Sequence, residues 1–270
     1  MRWHDVFEFQ PRAVRSPWMM IPQSSPDKRE KIKEFLLRTF KDLIGIVIIG
    51  SYAEGSATAG SDIDIVIVKR RRLSVKKRLE LERTMGERIQ IISFNRREVE
   101  YHFHNATTMA HSIRNGLVLY DRTGLITRLS RQSLGLPNRE WMRQWFIHWL
   151  RFYRLGVLDR MRQKRFHKRY CLRRCRCQIG DHLARATVNF AILFLETKGI
   201  VPTTKKKIKT YIRRFLPRDL MRGLLTAFKV YHKTRNLRAS EADEVFRTAS
   251  WLRRRLKRAL TPEEEGDDRP

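Results

Sequence analysis

Two aspartates one residue apart, Asp62 and Asp64, follow a Gly50-Ser51 pair by ten residues in the run GSYAEGSATAGSDIDIVIV. In a strand, residues at i and i+2 project from one face, so these two carboxylates are neighbours. Such a pair repels itself unless a cation lies between its members. Hard oxygen donors in small number, with room left for water, suit Mg²⁺ bound together with substrate phosphates. Gly50 lets the backbone turn sharply, and the Ser51 hydroxyl with nearby amides can hold phosphate oxygens. The two pieces form one site if both strand ends open on the same edge of a sheet.

The surrounding elements are those such a site needs. The apolar, β-branched GIVIIG (45–50) and the alternating DIDIVIV (62–68) predict strands buried in a sheet, joined by SYAEGSATAGS. Ahead of them, SSPDKREKIKEFLLRTF predicts a helix with Ser25 as N-cap, Pro26 in the first turn and Ile32, Phe35, Leu36 and Phe40 on one face. After them come an amphipathic SVKKRLELERTMG, a third strand RIQIISF (88–94) and a helical NRREVEYHFH. A further helix ends near Asn115-Gly116, and LVLYD makes a fourth strand. The expectation is an α+β domain over 26–134, a small mixed sheet with flanking helices.

From Asn138, placed as an N-cap, the pattern turns helical over 139–159, 179–198, 204–215, 218–233 and 240–260, which predicts an all-α bundle over 138–260. Gly135-Leu136-Pro137 is the expected junction. Residues 1–25 form an N-terminal arm, and 261–270 an acidic tail expected to be disordered.

The formal net charge is +30 over 270 residues, and 139–260 alone holds 33 lysines and arginines against 8 acidic residues. One-signed charge at that density concentrates polyanions, so a nucleic acid such as RNA, or an acidic protein, is the expected partner, and solvated helix faces are the bland alternative. The candidate contacts are Arg162, Arg165, Arg169, Lys205, Lys206, Lys207, Arg213 and Arg214. Phe152, Tyr153, Phe166 and Tyr170 interleave with arginines, where rings serve either as base-stacking platforms or as core. No apolar run approaches the length of a membrane span, and the first residues lack the apolar stretch of a signal peptide. Three cysteines, all within 171–177, point to a reducing cytoplasm rather than a disulfide scaffold. His167, Cys171 and Cys175 share a helical face near Cys177, but lack the paired Cys-x2–4-Cys units usual for zinc, and cysteines serve equally as small core residues.

With Ser61 before the first aspartate, the run from Gly50 to Val68 resembles the signature of the nucleotidyltransferases similar to DNA polymerase beta, in particular their minimal branch. The resemblance covers roughly residues 28–125, with NGLVLYDRTG similar to the last strand of that branch. It implies transfer of a nucleoside monophosphate from an NTP, with ATP the expected one, to a hydroxyl on RNA, a protein or a small molecule. Asp62 and Asp64 would be catalytic and hold one or two Mg²⁺ ions, while Gly50, Ser51 and Ser61 would bind the nucleotide. The family pattern adds a third carboxylate on the next strand, and Gln90 occupies the matching position. Glutamine coordinates and hydrogen-bonds but does not act as a general base, and Glu87, just before the strand, is the other candidate. The alternative is therefore a weak or inactive nucleotide- or RNA-binding relative, an antitoxin-like or regulatory module. The helical half is similar to the bundles that accompany minimal nucleotidyltransferases, of the substrate-binding or HEPN type. Arg162 and His167 have the spacing of a HEPN ribonuclease motif but precede the matching helices, so nuclease activity is not expected.

Overall fold

The computed structural model describes residues 26–57, 61–86, 88–162, 180–233 and 237–261, and the chain divides into two compact units, 1–135 and 136–270. The expected arm, the acidic tail beyond 261, and the segment holding Arg165, His167, Arg169 and all three cysteines lie outside the described residues.

Unit 1 runs α1 (Pro26–Thr39), β1 (Leu43–Ile49), α2 (Gly50–Ala53), β2 (Ile63–Lys69), α3 (Val75–Met85), β3 (Ile89–Phe94), α4 (Arg96–His104), α5 (Thr108–Arg114), β4 (Leu117–Asp121) and α6 (Leu125–Ser130). The strands form one mixed sheet in the order β3-β2-β1-β4, with β1 antiparallel to β2 and β4, and β2 parallel to β3. The unit is α+β, as its pattern predicts. Strand alternation sorts the apolar side chains into two cores. Ile46, Ile48, Ile63, Ile65, Ile67, Ile89 and Ile91 pack with Ile32 and Leu36 of α1 and Leu81 and Met85 of α3. Val47, Ile49, Val66, Val68, Ile92 and Phe94 pack on the other face with residues of α4, α5 and α6. Central strands β1 and β2 are thus covered on both sides, which is why their sequences read as nearly continuous apolar runs.

The local devices are ordinary. Asn95 and Glu98 close a capping box on α4, and the Ser74 and Thr107 hydroxyls cap α3 and α5. Among the described residues, β3 is an edge strand of the sheet. The Ile91 amide instead donates to Glu82 Oε1 at 2.8 Å, and the Ser93 hydroxyl accepts from the Leu73 amide at 3.0 Å. The Glu82 side chain thereby satisfies one backbone amide of an edge that would otherwise invite another strand, and Ser93 ties the loop before α3 to β3.

Unit 2 is helical throughout its described elements: α7 (Arg139–Arg162), α8 (Asp181–Glu196), α9 (Lys205–Ile212), α10 (Arg218–Lys233) and α11 (Ala239–Leu260). Asn138 caps α7 as expected, its Oδ1 accepting from the Glu140 and Trp141 amides at 2.8 and 3.3 Å. Helix α8 is the axis of the unit, buried along its length except at Ile192 and packed against α7, α10 and α11. Gly223 lets α10 meet α11 closely, since a β-carbon there would lie 2.3 Å from both Glu244 O and Thr248 Oγ1. The Thr248 hydroxyl donates to Leu220 O at 2.8 Å, closing the same crossing. Tyr153 is core rather than a stacking platform, buried with its hydroxyl 2.9 Å from Ser250 Oγ. Among the described residues no helix is long and apolar enough to cross a membrane.

Candidate functional site

The antiparallel pairing of β1 with β2 sets Ile49 opposite Asp64, so the chain leaves β1 at the sheet end where β2 begins. Gly50 then turns with φ of +73°, a left-handed conformation that favours glycine, and opens the short helix α2, where the sequence predicted only a connecting loop. A β-carbon on Gly50 would lie 3.0 Å from Asp64 Oδ2, so this backbone passes directly against the carboxylate. Ser51, Ser61, Asp62 and Asp64 are all half-buried. The ladder of β2 starts at Ile63, one residue later than the sequence suggested, which leaves Asp62 at its threshold.

The parallel pairing of β2 with β3 places Gln90 beside Asp64. Partners in register share a face, so the amide of Gln90 occupies the place nearest the aspartate where the next strand could have supplied an acid. Glu87 lies outside the described residues.

Several residues of this sheet end escaped the sequence reading. The Ile63 amide donates to Arg88 O at 2.6 Å, which brings Arg88 alongside the start of β2. Lys28, in the first turns of α1, is buried; that burial, and secondarily the Arg88 guanidinium, lowers its ammonium pKa below the ordinary lysine value. The Arg29 guanidinium carbon lies 5.9 Å from the Tyr52 ring centroid. The hydroxyls of Tyr52 and Ser56 are buried with no hydrogen-bond partner among the described residues. Period-2 alternation back from Gln90 was the available signal for Arg88; Lys28 and Tyr52 had none, because tertiary packing brings them there.

Asp62 and Asp64 are the residues that could hold a metal. Among the described residues no group of three His, Cys, Asp or Glu side chains could do so. A two-carboxylate donor set fits Mg²⁺ only when phosphate and water complete its shell, and the missing β-carbon of Gly50 leaves room beside Asp64 for such a ligand.

Residues 30–124 match the family described as Polymerase beta, Nucleotidyltransferase. Unit 1 carries a nucleotidyltransferase domain of that family. Among solved structures, spectinomycin adenyltransferase AAD(9) from Enterococcus faecialis, determined with ATP and spectinomycin, aligns over 86% of this chain and 100% of its own. The identity is 15% and the TM-score 0.52, a likeness of fold. A nucleotidyltransferase-like protein from Exiguobacterium sibiricum aligns over 87% of this chain and 77% of its own, at 14% identity and a TM-score of 0.36. No curated protein matches the chain. The nucleotidyltransferase domain contains Gly50, Ser51, Ser61, Asp62, Asp64 and Gln90 within the matched span; Lys28 precedes it.

In unit 2, Lys205, Lys206, Arg213 and Arg214 are exposed on α9 and the turn after it, while Lys207 is half-buried and donates to Thr203 Oγ1 at 3.0 Å. Arg162 ends α7. Nearby, Phe215 and Trp251 lie against Phe194 at ring-centroid distances of 6.1 and 5.5 Å, with Lys198 Nζ 5.8 Å from the Phe194 ring and the Arg255 guanidinium 5.2 Å from the Trp251 ring.

Proposed function

We propose that the chain is a Mg²⁺-dependent nucleotidyltransferase that moves a nucleoside monophosphate from an NTP, ATP first among them, to a hydroxyl acceptor. The observation that carries this reading is the contact of the Gly50 turn with the Asp64 carboxylate inside the matched domain. Gly50, Ser51 and Ser61 bind the triphosphate, and Asp62 and Asp64 hold Mg²⁺, which supplies charge neutralisation as pyrophosphate departs. The acceptor oxygen bonds to the α-phosphorus while the bridging P–O bond breaks, and pyrophosphate leaves with that electron pair. The acceptor proton passes to water, since Gln90 cannot take it. The domain's share of the work is positioning and electrostatic complementarity.

The exposed cations of unit 2, with Trp251 and Phe215 among them, favour a polyanion carrying unstacked bases as the acceptor, so RNA comes first. Protein and small polyhydroxyl acceptors follow, the latter because the fold neighbour was determined with spectinomycin.

A second reading is favoured by Gln90: a module that binds nucleotide or RNA without turnover, acting as an antitoxin-like or regulatory partner. Labelled NTPs with Mg²⁺ or Mn²⁺ and RNA, protein or aminocyclitol acceptors decide between the two. The enzyme reading expects a labelled product that disappears in the Asp62→Asn/Asp64→Asn variant. Tight NTP binding with no label in any acceptor overturns it in favour of the second.

A further inference from the structure

The ends of β2 and β3 set four side chains of different charge side by side. Ile63 pairs with Ile89 and Asp64 with Gln90, and the Ile63 amide bonds to Arg88 O. Ile63 and Ile89 fill the core on one face, so Asp64 and Gln90 share the opposite one by strand alternation, while Asp62 and Arg88 each lie one residue before their strands. Asp62 and Arg88 are the residues that immediately precede this pairing.

We infer that this centre takes its nucleoside triphosphate with a single divalent cation, held by Asp62 and Asp64, and that Arg88 supplies the second positive charge by contacting the triphosphate from the turn just before β3. The inference rests on the nucleotidyltransferase reading above and specifies its site. One Mg²⁺ is satisfied by one or two carboxylates together with substrate phosphates. A second dication, about 3.5–4 Å from the first in two-metal centres, needs anionic donors of its own to offset the mutual repulsion. The position beside Asp64 that could provide one is a neutral amide, and the residue just before β3, whose carbonyl accepts from the Ile63 amide, is a cation. A guanidinium there offers fixed charge and a planar fork of N–H donors matched to phosphate oxygens. Arg88 is exposed and able to meet a ligand at the sheet end. Lys28, whose ammonium pKa is lowered by burial and secondarily by Arg88, is a further cation near Arg88.

The test uses the full chain with α,β-methylene ATP and Mn²⁺. Electron paramagnetic resonance of free Mn²⁺ is expected to count one ion per chain at saturating analogue, rising to two in Gln90→Glu. Calorimetry is expected to show Arg88→Ala weakening the analogue about 10-fold or more, the loss typical of a hydrogen bond to a charged group, with Arg88→Lys intermediate. Circular dichroism melts verify that each variant is folded. Two Mn²⁺ ions in the wild type, or unchanged analogue affinity in folded Arg88→Ala, overturns the inference while leaving the nucleotidyltransferase reading in place. A wild-type chain that fails to bind the analogue overturns both.

Discussion

Gly50 and Asp64 interlock: the glycine's bare α-carbon leaves a β-carbon position only 3.0 Å from Asp64 Oδ2, at a φ of +73°. Gly50→Ala is expected to cost about 1–2 kcal/mol for left-handed backbone and also to push the carboxylate aside. Gly124, with φ of +68° and nothing within 4 Å of its β-carbon position, is the control. Melting curves should fall for both alanine variants, whereas calorimetric binding of Mg²⁺-ATP should fall only for Gly50→Ala. Equal loss of binding in both would refute the special role of the contact.

Gln90→Glu places a proton acceptor beside Asp64. Initial transfer rates are expected to rise by about 100-fold, the usual yield of a general base. The added carboxylate acts only when ionised, so the variant's rate should climb through the acid range while the wild type's stays flatter. A pH–rate profile of both proteins checks this, and superimposable profiles would count against it.

Burial raises the pKa of the Glu82 carboxyl to about 7, against the opposing pull of the Ile91 amide and, less, of Arg78. The folded-state value lies above the unfolded one, so the native state holds the extra proton between them. Stability is therefore full below about pH 4.5 and declines as pH rises through about 7, by no more than about 3 kcal/mol. Glu82→Gln keeps an acceptor for the Ile91 amide and removes the titration. Urea denaturation should show the variant more stable than the wild type at alkaline pH, with a flatter profile between those limits.

Much of unit 1 was legible because its signals are local. The period-2 runs of β1 and β2, the Gly50-Ser51 turn and the spacing to Asp62 and Asp64 all speak within a few residues of themselves. The Gln90 position was legible too, once β3 was read as the next strand. Helix α2 was missed because one short turn has no periodicity, and its start depends on the conformation of a single glycine. Lys28 and Tyr52 joined the sheet end through tertiary packing that no window of sequence contains, and for Arg88 the one signal was alternation back from Gln90. In unit 2 helix existence was plain, but the central place of α8 was not: it follows from which faces meet, and its largely apolar run was the one hint.

Gly223→Ala forces a methyl into Glu244 O and Thr248 Oγ1 at the α10–α11 crossing. Overpacking against backbone is expected to cost about 3 kcal/mol. Chemical denaturation measures it, and a loss under about 0.5 kcal/mol, the range of an ordinary surface substitution, would mean that the helices separate freely.

Replacing Lys205, Lys206, Arg213 and Arg214 together by alanine should weaken single-stranded RNA binding and flatten its salt dependence. Each lost phosphate contact reduces the slope of log K against log salt by about 0.7. Fluorescence anisotropy with oligouridylate over a salt series provides the measurement. An unchanged slope would assign these four cations to solvated surface.

The placement of β3 bears on how such a domain changes over generations. Its outer amide at Ile91 is answered by Glu82, and among the described strands its residue 90 pairs with β2 alone. A change of that residue leaves the pairing of β1 with β2, the Gly50 turn and both aspartates untouched. Gain or loss of a proton acceptor is then a one-codon event on an unaltered scaffold. Descent and rate of turnover can part company at this rim while the fold stays the same.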